Sequence, residues 1–163
     1  MNNSKISIRN ANPGDLTEMQ ELFVNTISTI CKNDYSVDQI NAWTSSIENI
    51  PRWNNRIASQ YFLVADLDNK IVGYASLKNN DYLDLLYVHK DYQKRGIASK
   101  LYSEIEKQAI RNNSTTLHAD VSKTAKPFFL NRGFKIIQMQ AKKIKGIEII
   151  NYKMIKHFDY NEI

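Results

Sequence analysis

Cysteine, proline and long apolar runs are scarce or missing in this 163-residue chain. Cys31 is the single cysteine, so an intrachain disulfide is excluded and a reduced, cytoplasmic setting is expected. A membrane-spanning helix needs about 20 apolar residues, and no run approaches that length, so we expect no membrane association. The amino-terminal segment MNNSKISIRN also lacks the apolar stretch of a signal peptide.

Glycine-rich nucleotide motifs and metal-ligand spacings are also missing. The five glycines form neither a G-x-G-x-x-G nor a Walker-type pattern, which disfavours a doubly wound dinucleotide fold. His89, His118 and Asp120 lack the helical spacing and the matching cysteines of a metal site, so we expect no metal. The net charge of +5 favours anionic ligands in general, but no recognised motif accompanies it, so nucleic acid is not an expected partner.

The composition that is present, 42% hydrophobic and 24% charged, is that of one globular domain, which we place at residues 4–158. Alternating or apolar runs predict strands, and four-residue periodicity predicts helices. The strands are expected at 6–8, 61–66, 71–77, 82–88, 115–121, 134–141 and 147–155. Helices are expected at 16–30, 36–43, 96–109 and 124–131, and at the first of them Asp15 and Glu18 resemble a capping box. Pro51 is expected to interrupt whatever structure follows the helix at 36–43. Short links between three consecutive strands imply an antiparallel meander.

The stretch from Leu86 to Ala109 organises the rest of the chain. An apolar strand ends at Val88, a polar turn follows, and an amphipathic helix begins at Gly96. Helix-start amides have no intrahelical partners, glycine allows a ligand to approach the backbone, and Lys94 and Arg95 add two cations. The turn is therefore a candidate diphosphate site.

This strand, turn and helix resemble the acetyl-CoA-binding motif of the GNAT superfamily of N-acetyltransferases, Q/R-x-x-G-x-G/A, through Gln93, Gly96 and Ala98. The segment SKTAKPFFLNRGF, from Ser122 to Phe134, resembles the second half-motif of the same family, N-x-x-A-x-x-F-Y-x-x-x-G-F. The resemblance implies an α/β fold with a mixed, mostly antiparallel sheet flanked by helices, in a bacterial-type member. It also implies a transferase that uses acetyl-CoA as cosubstrate and moves the acetyl group directly to an amine.

By this resemblance, coenzyme-binding residues come from the strand, the turn and the second half-motif. They are Leu86, Tyr87, Val88, Gln93, Lys94, Arg95, Gly96, Ile97, Ala98, Ser99, Ser122 and Phe128. The backbone amide of Val88 is expected to polarise the acetyl carbonyl, and backbone groups of Leu86 and Val88 to pair with the pantetheine amides. Serine at 122, where the family often has asparagine, would bind the ligand more weakly.

Asp84 is the one charged residue in the apolar strand from Tyr82 to Val88, and a charge in such a place needs a partner or a function. Strand alternation predicts that Tyr82, Asp84, Leu86 and Val88 share one face, and Leu83, Leu85 and Tyr87 the other. Family members commonly place a base, or a residue that orders water, at or near Tyr82 and Asp84. Asp84 is therefore a candidate base; a structural ion pair or an amine-binding role stays open.

The resemblance fails at the general acid, because Phe129 stands where many members have a tyrosine. Tyr152 on the last strand is a candidate substitute; unassisted or water-assisted departure of the thiolate is another. The loss of this hydroxyl also makes a non-catalytic acyl-CoA-binding or regulatory module the alternative function. A basic nucleic-acid-binding protein is a weaker alternative.

The segment between the first helix and the second strand shapes the acceptor pocket in the family, so Tyr35 and Trp43 are candidate substrate-facing residues, with Tyr82 beside them. Packing of these aromatics onto the sheet is the alternative. The acceptor is either a small-molecule or a peptide amine, and a homodimer is left open.

Overall fold

The protein folds around a seven-stranded β-sheet. The structure is a computed structural model that describes residues 4–161. The strands are β1 (Ser7–Asn10), β2 (Tyr61–Leu67), β3 (Lys70–Lys78), β4 (Tyr82–Val88), β5 (Thr116–Ser122), β6 (Lys135–Ile144) and β7 (Ile147–His157). The helices are α1 (Leu16–Ile30), α2 (Val37–Thr44), α3 (Ile50–Ser59), α4 (Ile97–Arg111) and α5 (Lys126–Asn131). None of the described helices is long and apolar enough to cross a membrane.

The strand order is β1-β2-β3-β4-β5-β7-β6, and every neighbouring pair is antiparallel except β4 and β5. The expected mixed, mostly antiparallel sheet is therefore confirmed, as is the meander of β2, β3 and β4. The chain returns through α4 between the two parallel strands, because parallel neighbours need a crossover connection.

Two apolar cores lie on the two faces of the sheet. One joins α4 and α5 to the sheet through residues such as Leu101 and Phe129, and the other joins α1, α2 and α3 through residues such as Phe23 and Trp53. Gly73 on β3 sets the position of α4, because a Cβ there would lie 2.9 Å from Ile97 Cγ2. Only glycine lets this helix approach the strand so closely.

Two expectations about helix starts are wrong. The capping box lies one turn earlier than expected: the Asn12 side chain accepts from Gly14 N, and Asp15 Oδ2 accepts from Asn12 N. Asp15 makes no capping hydrogen bond to α1. Pro51 does not interrupt a helix but lies in the first turn of α3, where its missing amide proton costs little.

Strand β4 departs from simple alternation at Asp84. Ser76 of β3 pairs with Leu85 and Leu77 with Leu83, so Asp84 is the extra residue of a β-bulge. Leu83 consequently packs in the core beneath α4 and Leu85 in the core beneath α1, and the expectation that these two leucines share a face is wrong. The bulge turns the Asp84 side chain toward α3, away from the core beneath α4 that Leu86 contacts.

Candidate active site

The turn before α4 presents main-chain amides at the surface. Lys94 (φ 60°) and Gly96 (φ 78°) both have left-handed backbone, and Gly96 caps the helix without a side chain. Apart from its chain neighbours, no atom lies within 4 Å of the place where a Gly96 Cβ would stand, so the surface beside Gly96 is open. Lys94 and Arg95 are exposed at this turn, and the Arg95 guanidinium lies 4.9 Å from the centre of the Tyr92 ring. The local geometry suits an anion.

Gln93 ties the turn to the end of β4. Its Nε2 donates to the carbonyl oxygen of Val88 at 2.7 Å, and the Thr26 hydroxyl donates to the same oxygen at 3.0 Å. The first position of the sequence motif therefore fixes the backbone beside the turn through its side-chain amide.

Strands β4 and β5 separate soon after they meet. Their single ladder pair within residues 4–161 is Tyr82 with His118, at the start of both strands. The His89 amide donates to Val72, so Val88 and Leu86 occupy the non-hydrogen-bonded positions of the β3–β4 ladder. Their own N–H and C=O groups therefore point away from β3, into the gap between β4 and β5. The Val88 carbonyl already accepts from Gln93 and Thr26. The Val88 amide and the N–H and C=O of Leu86 are therefore the backbone groups that can face a ligand in this gap.

A cavity of about 370 Å³ occupies this gap and reaches both faces of the sheet. Ten of the residues that the sequence singled out line it: Tyr35, Trp43, Asp84, Leu86, Tyr87, Val88, Gln93, Ala98, Ser122 and Phe128. Seven others do not belong to its lining: Tyr82, Lys94, Arg95, Gly96, Ile97, Ser99 and Tyr152. The turn residues among these seven form the helix start described above, whereas Ile97 is a core residue that is 1% exposed.

Asp84 enters the cavity as one half of an ion pair. Arg56 Nε of α3 donates to Asp84 Oδ2 at 3.0 Å, and Gln60 Nε2 donates to the same oxygen at 2.8 Å. The two charged side chains are only 12% and 14% exposed. Asp84 therefore has the structural partner that the sequence left open, while its carboxylate still borders the cavity.

Tyr35 is held by its hydroxyl as well as by packing. The hydroxyl donates to the Ile150 carbonyl at 2.7 Å and accepts from the Lys123 amide at 2.9 Å, which joins the loop after α1 to β7 and to the end of β5. The Trp43 ring lies edge-on to the Tyr35 ring at 5.4 Å. Both aromatics are thus fixed walls of the cavity.

Asp120, which the sequence excluded as a metal ligand, lines the cavity. On β5 it accepts from the Tyr82 hydroxyl at 2.8 Å, from Gln140 Nε2 at 2.7 Å and from Lys142 Nζ at 2.9 Å. Burial alone would raise the pKa of Asp120, but these three hydrogen bonds lower it below the ordinary value. Burial and the bond to Asp120 raise the pKa of the Tyr82 hydroxyl, so Tyr82 orients the carboxylate at the cavity wall.

Phe129, which stands where many family members have a tyrosine, lies in apolar surroundings in the structure. Phe129 borders the cavity and is 4% exposed. Tyr152 pairs with Val121 on β5, and its ring lies 4.5 Å from Lys126 Nζ, outside the cavity lining. No general acid is therefore evident at the place where the family resemblance would put one.

Arg132 is a further cation that the sequence did not single out. Its guanidinium lies 4.0 Å from the centre of the Phe128 ring and donates to the Ser99 hydroxyl in the first turn of α4. Arg132 thereby joins the end of α5 to the first turn of α4.

The comparisons with known proteins agree with this geometry. A family model described as an acetyltransferase (GNAT) domain matches residues 31–156. The uncharacterised N-acetyltransferase YafP of Escherichia coli is 34% identical over 154 residues, 94% of this chain and 96% of that protein. The chain belongs to the GNAT acetyltransferase family.

Solved structures of GNAT acetyltransferases share the fold. A GCN5-related N-acetyltransferase from Rhodopseudomonas palustris, whose description adds "Aminotransferase, Class-II", is 34% identical with a TM-score of 0.91, over 97% of this chain and 99% of that one. The PaiA N-acetyltransferase of Thermoplasma acidophilum, solved with coenzyme A, is 20% identical with a TM-score of 0.76, over 94% and 99%. At 20% identity, the likeness to the PaiA structure shows only that the two proteins share a fold.

Proposed function

We propose that this GNAT acetyltransferase moves the acetyl group of acetyl-CoA directly to an amine, within one domain at residues 4–158. The observation that carries the proposal is the gap between β4 and β5, where backbone groups of Leu86 and Val88 face a cavity beside the open start of α4. Two fold neighbours, solved with coenzyme A and with acetyl-CoA, support this ligand.

The residues present fit the coenzyme from its diphosphate to its thioester. Amides from Gln93 to Ala98, with Lys94 and Arg95, would hold the diphosphate at the open turn. Ser122 and Phe128 would flank the chain of the coenzyme on the side of β5 and α5. Bound acetyl-CoA supplies an activated acetyl thioester. Amides of Leu86 and Val88 are fixed donors in the gap, and such donors stabilise negative charge on a carbonyl oxygen without reorganisation.

Asp84 is the base in this proposal. An alkylammonium of pKa about 10.4 is neutral at pH 7 in about one molecule in 2,500, a deficit of roughly 4.6 kcal/mol. A carboxylate at the cavity wall can bind the ammonium and take its proton, directly or through water. Arg56 and Gln60 hold Oδ2 of this carboxylate in place.

No side chain is assigned to protonate the sulfur. A thiol of pKa about 8.5 leaves tolerably well as the thiolate near neutral pH, so departure unaided or with water suffices. Tyr152 stays a candidate whose hydroxyl would have to act from outside the cavity lining.

Calorimetry with coenzyme A and acetyl-CoA, together with an assay of thiol release against a panel of amines, tests the proposal. We expect saturable binding of both coenzymes and amine-dependent release of thiol. Tight binding with no turnover for any amine would favour the acyl-CoA-binding module instead. Absence of binding would overturn the site itself.

A further inference from the structure

The cavity has an apolar half on the face of the sheet covered by α1, α2 and the β6–β7 hairpin. Its walls are six aliphatic or aromatic side chains: Ile27, Ile30, Tyr35, Trp43, Ile144 and Ile149. Tyr35 and Ile149 are buried, and the hydroxyl of Tyr35 is already occupied by two main-chain groups. An acceptor that enters from this face therefore meets mostly hydrocarbon.

The charges around the cavity are already compensated. Among the residues that line it, three carry a formal charge, namely Asp84, Asp120 and Lys142. Lys142 pairs with Asp120 at 2.9 Å, and Arg56 pairs with Asp84 at 3.0 Å from behind the lining.

Both oxygens of Asp120 accept hydrogen bonds, Oδ1 from Gln140 and Oδ2 from Tyr82 and Lys142. Within residues 4–161, Arg56 and Gln60 both donate to Oδ2 of Asp84, which leaves its Oδ1 for a single ammonium. A second positive charge on an acceptor would find no free carboxylate oxygen in the lining. An acidic group would find only a lysine that is already engaged.

The volume restricts the acceptor further. At about 370 Å³ the cavity lies near the small end of the range of ligand pockets, roughly 300–1,000 Å³. The acetyl thioester and the adjoining part of the coenzyme must share this space. Little room is left beside them on the apolar face, which favours a compact body.

From these observations we infer that the acceptor is a small monoamine with a compact apolar body, rather than a polyamine, an amino acid or a peptide. The single ammonium lies at Asp84 and the body lies against Tyr35 and Trp43. This inference rests on the proposed function, because it assumes that the cavity receives both acetyl-CoA and the amine.

Three acceptors with the same five-carbon chain test the inference: pentylamine, the diamine cadaverine and the acid aminovalerate. We expect kcat/KM for pentylamine to exceed that for the other two by roughly ten-fold or more, because burying an unpaired charge is costly. A tetrapeptide with one lysine should be a poorer substrate still. A preference for cadaverine, aminovalerate or the tetrapeptide over pentylamine would overturn the inference while leaving the proposed function intact.

A pair of neighbouring lysines provides the matched variants. Lys142→Met leaves Asp120 without its cation and should narrow the preference for pentylamine over cadaverine several-fold. Lys143→Met, at an exposed lysine outside the cavity lining, should leave that preference unchanged. Equal effects of the two variants would contradict the charge argument. Binding of coenzyme A, measured by calorimetry, separates the two proposals, because its loss or the lack of any turnover would overturn the proposed function.

Discussion

Arg56 of α3 and Asp84 of β4 form a nearly buried ion pair, with Nε 3.0 Å from Oδ2. Asp84 is the bulged residue of its strand, so the pair joins α3 to the irregularity in the β3–β4 ladder. A bulge commonly re-aims a side chain next to a functional site. Here it brings a carboxylate to the wall of the cavity.

Asp84→Asn should lower turnover most at low pH. If Asp84 takes the proton from the ammonium, its loss matters most where the amine is protonated and little near pH 10, where the amine is neutral. We expect kcat/KM to fall by roughly a hundred-fold at neutral pH. A pH–rate profile of both proteins with one amine checks this. A uniform deficit across pH would assign Asp84 to structure alone.

Arg56→Met should destabilise the protein by about 3 kcal/mol, because it removes the charged partner of a carboxylate that is only 14% exposed. The double variant Arg56→Met/Asp84→Asn should recover part of that loss. Urea unfolding of the wild type, both single variants and the double variant measures the coupling. Additive effects of the two changes would mean that the pair has no measurable coupling.

Gly96→Glu should abolish binding of coenzyme A by placing bulk and negative charge in front of the α4 amides. Gly146 offers a matched control, because its φ is also 78° and no atom lies within 4 Å of the place where its Cβ would stand. Gly146→Glu, in the turn between β6 and β7, should cost similar stability and leave binding unchanged. Calorimetry distinguishes the two variants. Retained affinity in Gly96→Glu would defeat the assignment of the diphosphate site.

Tyr35→Phe should cost about 1–3 kcal/mol of stability, because it leaves the Ile150 carbonyl and the Lys123 amide without their partner. The ring remains, so the affinity for an apolar amine should change little. Thermal unfolding and KM for the amine, measured together, decide between the two roles predicted for this residue. A raised KM with unchanged stability would assign the hydroxyl to the acceptor instead.

Asp15→Asn should lower the free energy of unfolding at neutral pH, and this difference from the wild type should vanish in acid. Hydrogen bonds from the Arg9 guanidinium, despite burial, hold the pKa of Asp15 below its ordinary value. A carboxylate with a depressed folded-state pKa contributes its stability above the unfolded pKa of about 3.9 and loses it as pH falls through the folded value. Urea unfolding from pH 7 down to about pH 2 should show the gap between wild type and variant closing. Asp68→Asn, at an exposed turn, should leave the curve unchanged.

The sequence predicts regular elements well and irregular backbone poorly in this chain. The strand at Tyr82–Val88 and the helix after Gly96 were accessible because their apolar periodicity is local. The bulge at Asp84 was not, since it depends on register with β3 and on Arg56, which lies 28 residues earlier. Strand alternation therefore assigned Leu83 to the wrong face of the sheet.

The site was predictable where a motif marks it and obscure where distant strands build it. Gln93 and Gly96 stand in a short pattern, whereas the partners of Asp120 come from β4 and β6 and share no sequence spacing. Tyr35 was singled out for its aromatic character, but its two hydrogen bonds span 115 and 88 residues. Such contacts become visible only when the chain is folded.

Because β4 and β5 separate, the sheet consists of two halves, β1 to β4 and β5 to β7, with few main-chain hydrogen bonds between them. A molecule that fills the gap between β4 and β5 and bonds to Leu86 and Val88 would act as a substitute strand. Its binding would link the two halves of the sheet, so the free energy of unfolding would rise as more of the protein is occupied by the ligand. The gap that would receive the coenzyme is thereby also the line along which the two halves of the sheet are joined most weakly.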